Sequence, residues 1–68
     1  MAKVRINGRE VKLGEKVQTV LDLILAQGLL PEDVVIEHNG KVLPRADWGK
    51  TKVGEGDKLE ILSFVGGG

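Results

Sequence analysis

Two Asn-Gly pairs, Asn7-Gly8 and Asn39-Gly40, constrain this chain more than any other feature in it. Each pair sits between short runs that alternate polar and apolar residues, and both of its residues tolerate the positive φ of a type I′ turn. Lys3-Val4-Arg5-Ile6 leads into the first pair and Arg9-Glu10-Val11-Lys12-Leu13 leaves it. Val4, Ile6, Val11 and Leu13 are therefore expected on one face of an antiparallel hairpin. Val34 to His38 leads into the second pair and Lys41-Val42-Leu43 leaves it. Pro44 ends that strand, because it has no amide hydrogen to donate to a ladder.

Between the hairpins the period changes. From about Thr19, the residues Val20, Leu21, Ile24 and Leu25 fall on one helical stripe, with Asp22 and Gln27 off it. Thr19 with Asp22 three residues later reads as an N-terminal cap. Gly28 and Pro31 close the helix after about two to three turns. Arg45 to Val53 has no clean period and reads as an irregular crossing segment with one tight helical turn near Asp47-Trp48. Trp48 is expected to pack inside, with Pro44-Arg45 fixing the segment. Glu55-Gly56-Asp57 is a turn cluster, and Lys58 to Val65 forms the last strand, with Leu59 and Ile61 toward the core. The order strand, strand, helix, strand, strand, strand predicts an α+β fold: one mixed sheet of about five strands packed on one helix. The last strand is expected beside the first, as in β-grasp folds, a pairing that strand order alone does not prove; the expected division is a β-grasp domain over 1–65 and a flexible tail over 66–68.

A chain of 68 residues has room for one domain with a small core, and with no cysteine it has neither disulfide nor thiolate metal site to support it. Ten basic and ten acidic residues balance, which argues against nucleic-acid binding, where a basic excess displaces counterions. Met1-Ala2-Lys3 runs straight into a strand pattern rather than a signal peptide, and no apolar stretch is long enough to span a bilayer. The chain is thus expected in the cytoplasm, off the membrane, and monomeric when free. His38 has no cysteine beside it and reads as an ordinary strand residue. No spacing suggests a metal site, a dinucleotide fingerprint or a phosphate loop, so no catalytic residue is expected in the body.

The end of the sequence is the exception. Three successive glycines arise by chance at a fixed place in about one sequence in three thousand, so Gly66-Gly67-Gly68 asks for an account. A cloning scar or frayed linker is the bland one. The sharper one starts from the missing Cβ: such a segment can thread a channel too narrow for other residues. A terminal glycine presents an unhindered carboxylate, a poor electrophile until it is converted to an acyl-adenylate, which then accepts a sulfur nucleophile. A carrier that holds sulfur as a terminal thiocarboxylate needs no cysteine.

Asn39-Gly40, Val42-Leu43-Pro44-Arg45, Trp48, Gly56-Asp57-x-Leu59-Glu60-Ile61 and Phe64-Val65-Gly66-Gly67-Gly68 together resemble the ThiS family, β-grasp sulfur carriers of thiamin thiazole synthesis. The resemblance covers essentially the whole chain. It implies that a ThiF-type adenylating enzyme, consuming ATP, activates Gly68. A persulfide donor then leaves Gly68 as a thiocarboxylate, which supplies a ThiG-type thiazole synthase. Gly67 would enter the partners' active sites with Gly68, Gly66 acting as spacer, and the chain itself binds no cofactor. In the last strand Leu62 and Phe64 are expected opposite Leu59 and Ile61, as an exposed docking patch edged by Glu60; the alternative puts Phe64 in the core. Two other readings stay open: a molybdopterin synthase small-subunit-type carrier, and a ubiquitin-like interaction module whose glycines are only a linker.

Overall fold

The computed structural model describes residues 2–64; Val65 and the three glycines lie outside them. Strands β1 (Lys3–Ile6) and β2 (Arg9–Lys12) form the first hairpin, and β3 (Val34–His38) and β4 (Lys41–Leu43) the second. Both turns are as their chemistry demands, with φ of 51° and 83° at Asn7-Gly8 and 52° and 87° at Asn39-Gly40. Strand β5 (Lys58–Ser63) completes a five-stranded sheet of order β2-β1-β5-β3-β4. It runs parallel to β1 and antiparallel to β3. The last strand therefore lies beside the first, in the middle of the sheet, and the architecture is the expected β-grasp.

Helix α1 (Val20–Ala26) crosses one face of this sheet. It starts at a reciprocal cap: the Thr19 Oγ1 accepts the Asp22 amide at 3.1 Å, while Asp22 Oδ2 accepts the Gln18 and Thr19 amides at 3.0 and 3.1 Å. Those two amide bonds hold the Asp22 carboxyl below the usual carboxylate pKa. The buried helical set is Val20, Leu23 and Ile24. The expected stripe is corrected here: Leu23 replaces Leu25, which is 55% exposed. The reason is geometric, since Val20, Leu23 and Ile24 occupy i, i+3 and i+4 and share one face, while Leu25 is turned a further 100° or so toward solvent.

Val4, Ile6, Ile36 and Leu59 from the sheet, Leu13 just past β2, and Trp48 share one core with the helix. Each fully buried large side chain of this kind contributes about 1.5–3 kcal/mol relative to leaving it exposed. Trp48 is buried and its indole N–H donates to the Leu43 carbonyl at 2.9 Å, so the one polar group it carries is satisfied. It lies in a 3-10 segment, Arg45–Lys50, that is longer than the single turn expected. A further 3-10 turn, Pro31–Asp33, begins with proline at its first position and links the helix to β3.

Candidate functional site

Gly66, Gly67 and Gly68 lie outside the described residues, so what the structure places is the strand from which they leave. That strand is held on both sides. Toward β3 its pairing runs from Leu59 opposite His38 to Ser63 opposite Val34, and the Phe64 amide then donates to the Asp33 carbonyl at 2.8 Å. Toward β1 the backbone ladder covers only Lys58 and Leu59, because β1 turns away at Asn7-Gly8. The Asn7 side chain continues it: its Oδ1 accepts the Ile61 amide at 2.7 Å and its Nδ2 donates to the Ile61 carbonyl at 3.1 Å. Asn39 plays a similar part near the start of β5, its Oδ1 accepting the Lys58 amide at 2.9 Å. The two turn asparagines thus clamp the central strand as well as turning the hairpins. The expected strand end at Val65 is not reached within the described residues; β5 stops at Ser63.

The sheet face away from the helix is uncovered. Leu59 is fully buried, while Leu62 and Phe64 are 58% and 62% exposed, so Phe64 is not a core residue. Leu62 stands opposite Val35, and Glu60 stands opposite Glu37. Val42, 65% exposed on the edge strand, is also opposite Glu37. The outer face therefore carries an apolar end near the last described residue, with two carboxylates facing each other behind it. Like charges directly opposite across strands are unfavourable, and among the described residues neither glutamate has an ion-pair partner. Next to Phe64 an apolar groove of about 380 Å³ opens between the Pro31–Asp33 turn, β4 and the start of the Arg45–Lys50 segment. Among the described residues no group of three His, Cys, Asp or Glu side chains gathers to hold a metal, and no helix is long and apolar enough to cross a membrane.

The family model for ThiS matches residues 4–68, the folded body and the glycine tail together. The chain belongs to the ThiS family. It is 29% identical over 65 residues to the sulfur carrier protein ThiS of Bacillus subtilis, covering 96% of this chain and 98% of that one. A crystal structure of the thiamine biosynthesis protein ThiS from Geobacter metallireducens superposes with a TM-score of 0.81 at 34% identity, covering 97% and 99% of the two chains. The chain is also 36% identical over 66 residues to a thiazole synthase of Paramagnetospirillum magneticum. There it spans 97% of its own length but only a fifth of that protein's.

Within this ThiS-family fold the Glu60, Leu62 and Phe64 patch falls on one exposed face, at the root of the tail. Glu37, Val35 and Val42 join it there, and strand pattern alone could not reveal them, since they come from two other strands. His38 carries a contact that its sequence context did not announce: its Nε2 lies 3.1 Å from Asp57 Oδ2, which also accepts the Gly54 amide at 2.9 Å. Burial opposes the Asp57 charge, but hydrogen bonds from His38, the Gly54 amide and Asn39 outweigh it and hold the carboxyl below its usual pKa. The pair joins the end of β3 to the turn before β5, a structural tie remote from the apolar end of the outer face.

Proposed function

We propose that this chain is a sulfur carrier of thiamin biosynthesis, working in the cytoplasm as a substrate of other enzymes rather than as an enzyme. The observation that carries the reading is the reach of the ThiS match through Gly68, on a body whose central strand leads to that residue. In this reading a ThiF-type enzyme couples the Gly68 carboxylate to ATP, forming the acyl-adenylate and releasing pyrophosphate. A persulfide attacks the acyl carbon and displaces AMP. A second thiol then cleaves the acyl disulfide, leaving the thiocarboxylate and a disulfide. The thiocarboxylate is the sulfur source for a ThiG-type thiazole synthase. The likeness to a thiazole synthase that contains an equivalent stretch supports that partner.

The body contributes position. Gly66 and Gly67 bring no side chain into a partner's channel, and the clamped β5 fixes where that channel must be entered. Leu62 and Phe64, with Glu60 beside them, form the docking face; exposed apolar anchors near the centre of an interface dominate its affinity. Intact mass of the chain after incubation with the adenylating enzyme, ATP and a persulfide donor tests the reading. The expected product has one oxygen replaced by sulfur at Gly68, and deletion of Gly68 abolishes it while the chain stays folded. An unchanged mass under conditions that convert the Bacillus carrier overturns the reading.

A further inference from the structure

We propose that the groove beside Phe64 seats an apolar side chain of a thiazole synthase-type partner, while Arg45 on its rim pairs with a carboxylate of that partner. The proposal deepens the carrier reading and rests on it. Four residues, Val65 to Gly68, separate Phe64 from the reacting carboxylate, and a fully extended run of that length reaches at most about 14 Å. For Gly68 to sit inside an active site, the partner's surface around its entrance must come down onto the neighbourhood of Phe64. The groove has Phe64 as one wall, so it lies under that surface.

Its lining is suited to an apolar occupant. Val34 and Trp48, both buried, line it together with Val42, Leu43 and Phe64. The walls are tied in place before any partner arrives: the Phe64 amide holds the Asp33 carbonyl at 2.8 Å, the Trp48 indole holds Leu43 at 2.9 Å, and the Asp47 amide holds Pro44 at 2.9 Å. A preformed groove loses little ordering entropy on being filled. Arg45 and Glu32 both line it, yet no ion pair closes between them, and among the described residues Arg45 has no anionic partner. A guanidinium left open on an apolar rim is a receptor for a carboxylate. The synthase is the favoured partner because the relative from Paramagnetospirillum magneticum, and another from Magnetococcus marinus, are thiazole synthases in which the stretch like this chain makes up a fifth of the length. The two parts there occupy one polypeptide.

The test is a titration of the isotopically labelled full-length chain with unlabelled thiazole synthase, followed by amide and indole NMR signals. Val42, Arg45 and the Trp48 indole N–H are expected to shift along with Leu62 and Phe64. Arg45→Glu and Val42→Lys, both at exposed positions, should weaken binding tenfold or more with unchanged melting, whereas Leu25→Lys on the helix side should leave it unaltered. If Leu62 and Phe64 move while the groove signals stay still, the groove proposal is overturned and the carrier reading stands. Failure of the wild-type chain to bind the synthase also overturns it. If removing Gly66 to Gly68 moves the Arg45 and Trp48 indole signals of the free chain, the occupant is the chain's own tail, and the proposal again fails. Failure of Gly68 to gain sulfur in the mass experiment is a separate result, and it is the one that removes the carrier reading.

Discussion

The two faces of the sheet are built from the same strands, and the apolar residues they carry end in opposite states. On β5, Leu59 is 0% exposed and Leu62, three residues on, is 58% exposed; on the second hairpin, Ile36 is 0% exposed and Val42 65%. Folding accounts for the first member of each pair, because the helix and Trp48 cover it. Nothing in the chain covers the second among the described residues. Apolar surface gathered at one end of a face, where the described part of the last strand ends, is the observation on which the proposed docking face rests. The inner face is accounted for by folding, and the outer face is the one to which the proposed docking role is assigned.

The largest effect that separates the faces is on stability. A domain of this size holds about 3–10 kcal/mol in total on the usual per-residue scale. Leu23→Ala, at a fully buried helix position, is expected to cost about 2–5 kcal/mol through lost transfer energy and a cavity, enough to leave much of the chain unfolded. Leu62→Ala should change stability by less than about 0.5 kcal/mol while weakening partner binding. Urea melts of the two variants check this. Equal losses in both would mean that the outer face is part of the core, and the comparison would collapse.

What could be read without the structure was what local chemistry decides. The hairpins follow from Asn-Gly flanked by alternating runs, and the helix start from a cap that Thr19 and Asp22 make between themselves. What could not be read depends on which strands become neighbours. Leu25 and Leu23 are both plausible members of an apolar stripe, and only the direction from which the sheet approaches chooses Leu23. Asn7 reaches Ile61 across 54 positions of sequence. Glu37 meets Glu60 because β3 and β5 pair in one particular register. The groove draws on two stretches of chain, 31–35 and 42–48, with Phe64 beside them. The role proposed for the glycine tail, by contrast, rests on composition and family resemblance alone, and it needs no neighbour in the fold.

A smaller effect should appear at the other end of the sheet, at the tie between His38 and Asp57. The Asp57 carboxyl has a folded pKa below its unfolded value. Its contribution to stability is therefore present above about pH 3.9, the ordinary aspartate value, and is lost as pH falls through the folded pKa. Asp57→Asn removes the charge from these hydrogen bonds and should cost about 1–2 kcal/mol near neutral pH. The gap between wild type and variant should narrow below about pH 4. A gap constant from pH 7 to pH 3 in thermal melts would show that the charge contributes nothing. Because this tie is remote from the apolar end, the variant should still bind the thiazole synthase normally once folded.

The smallest stability effect expected is also the one with the unusual sign. Glu37 and Glu60 face each other on the outer side of β3 and β5, an arrangement that cross-strand electrostatics disfavours. Glu37→Gln removes one of the two charges and should raise stability by a few tenths of a kcal/mol, at most about 1. If the outer face docks a partner as proposed, the pair acquires a part that folding does not give it. A cationic side chain of a partner, set between the two carboxylates, would reverse the repulsion on docking. The same variant should then bind the partner more slowly, with an association rate less sensitive to salt than that of wild type. Stopped-flow association at two ionic strengths separates the possibilities. A variant that is more stable and binds with an unchanged rate would leave the opposed glutamates without a part in docking, and would confine the interface to the apolar end of the face.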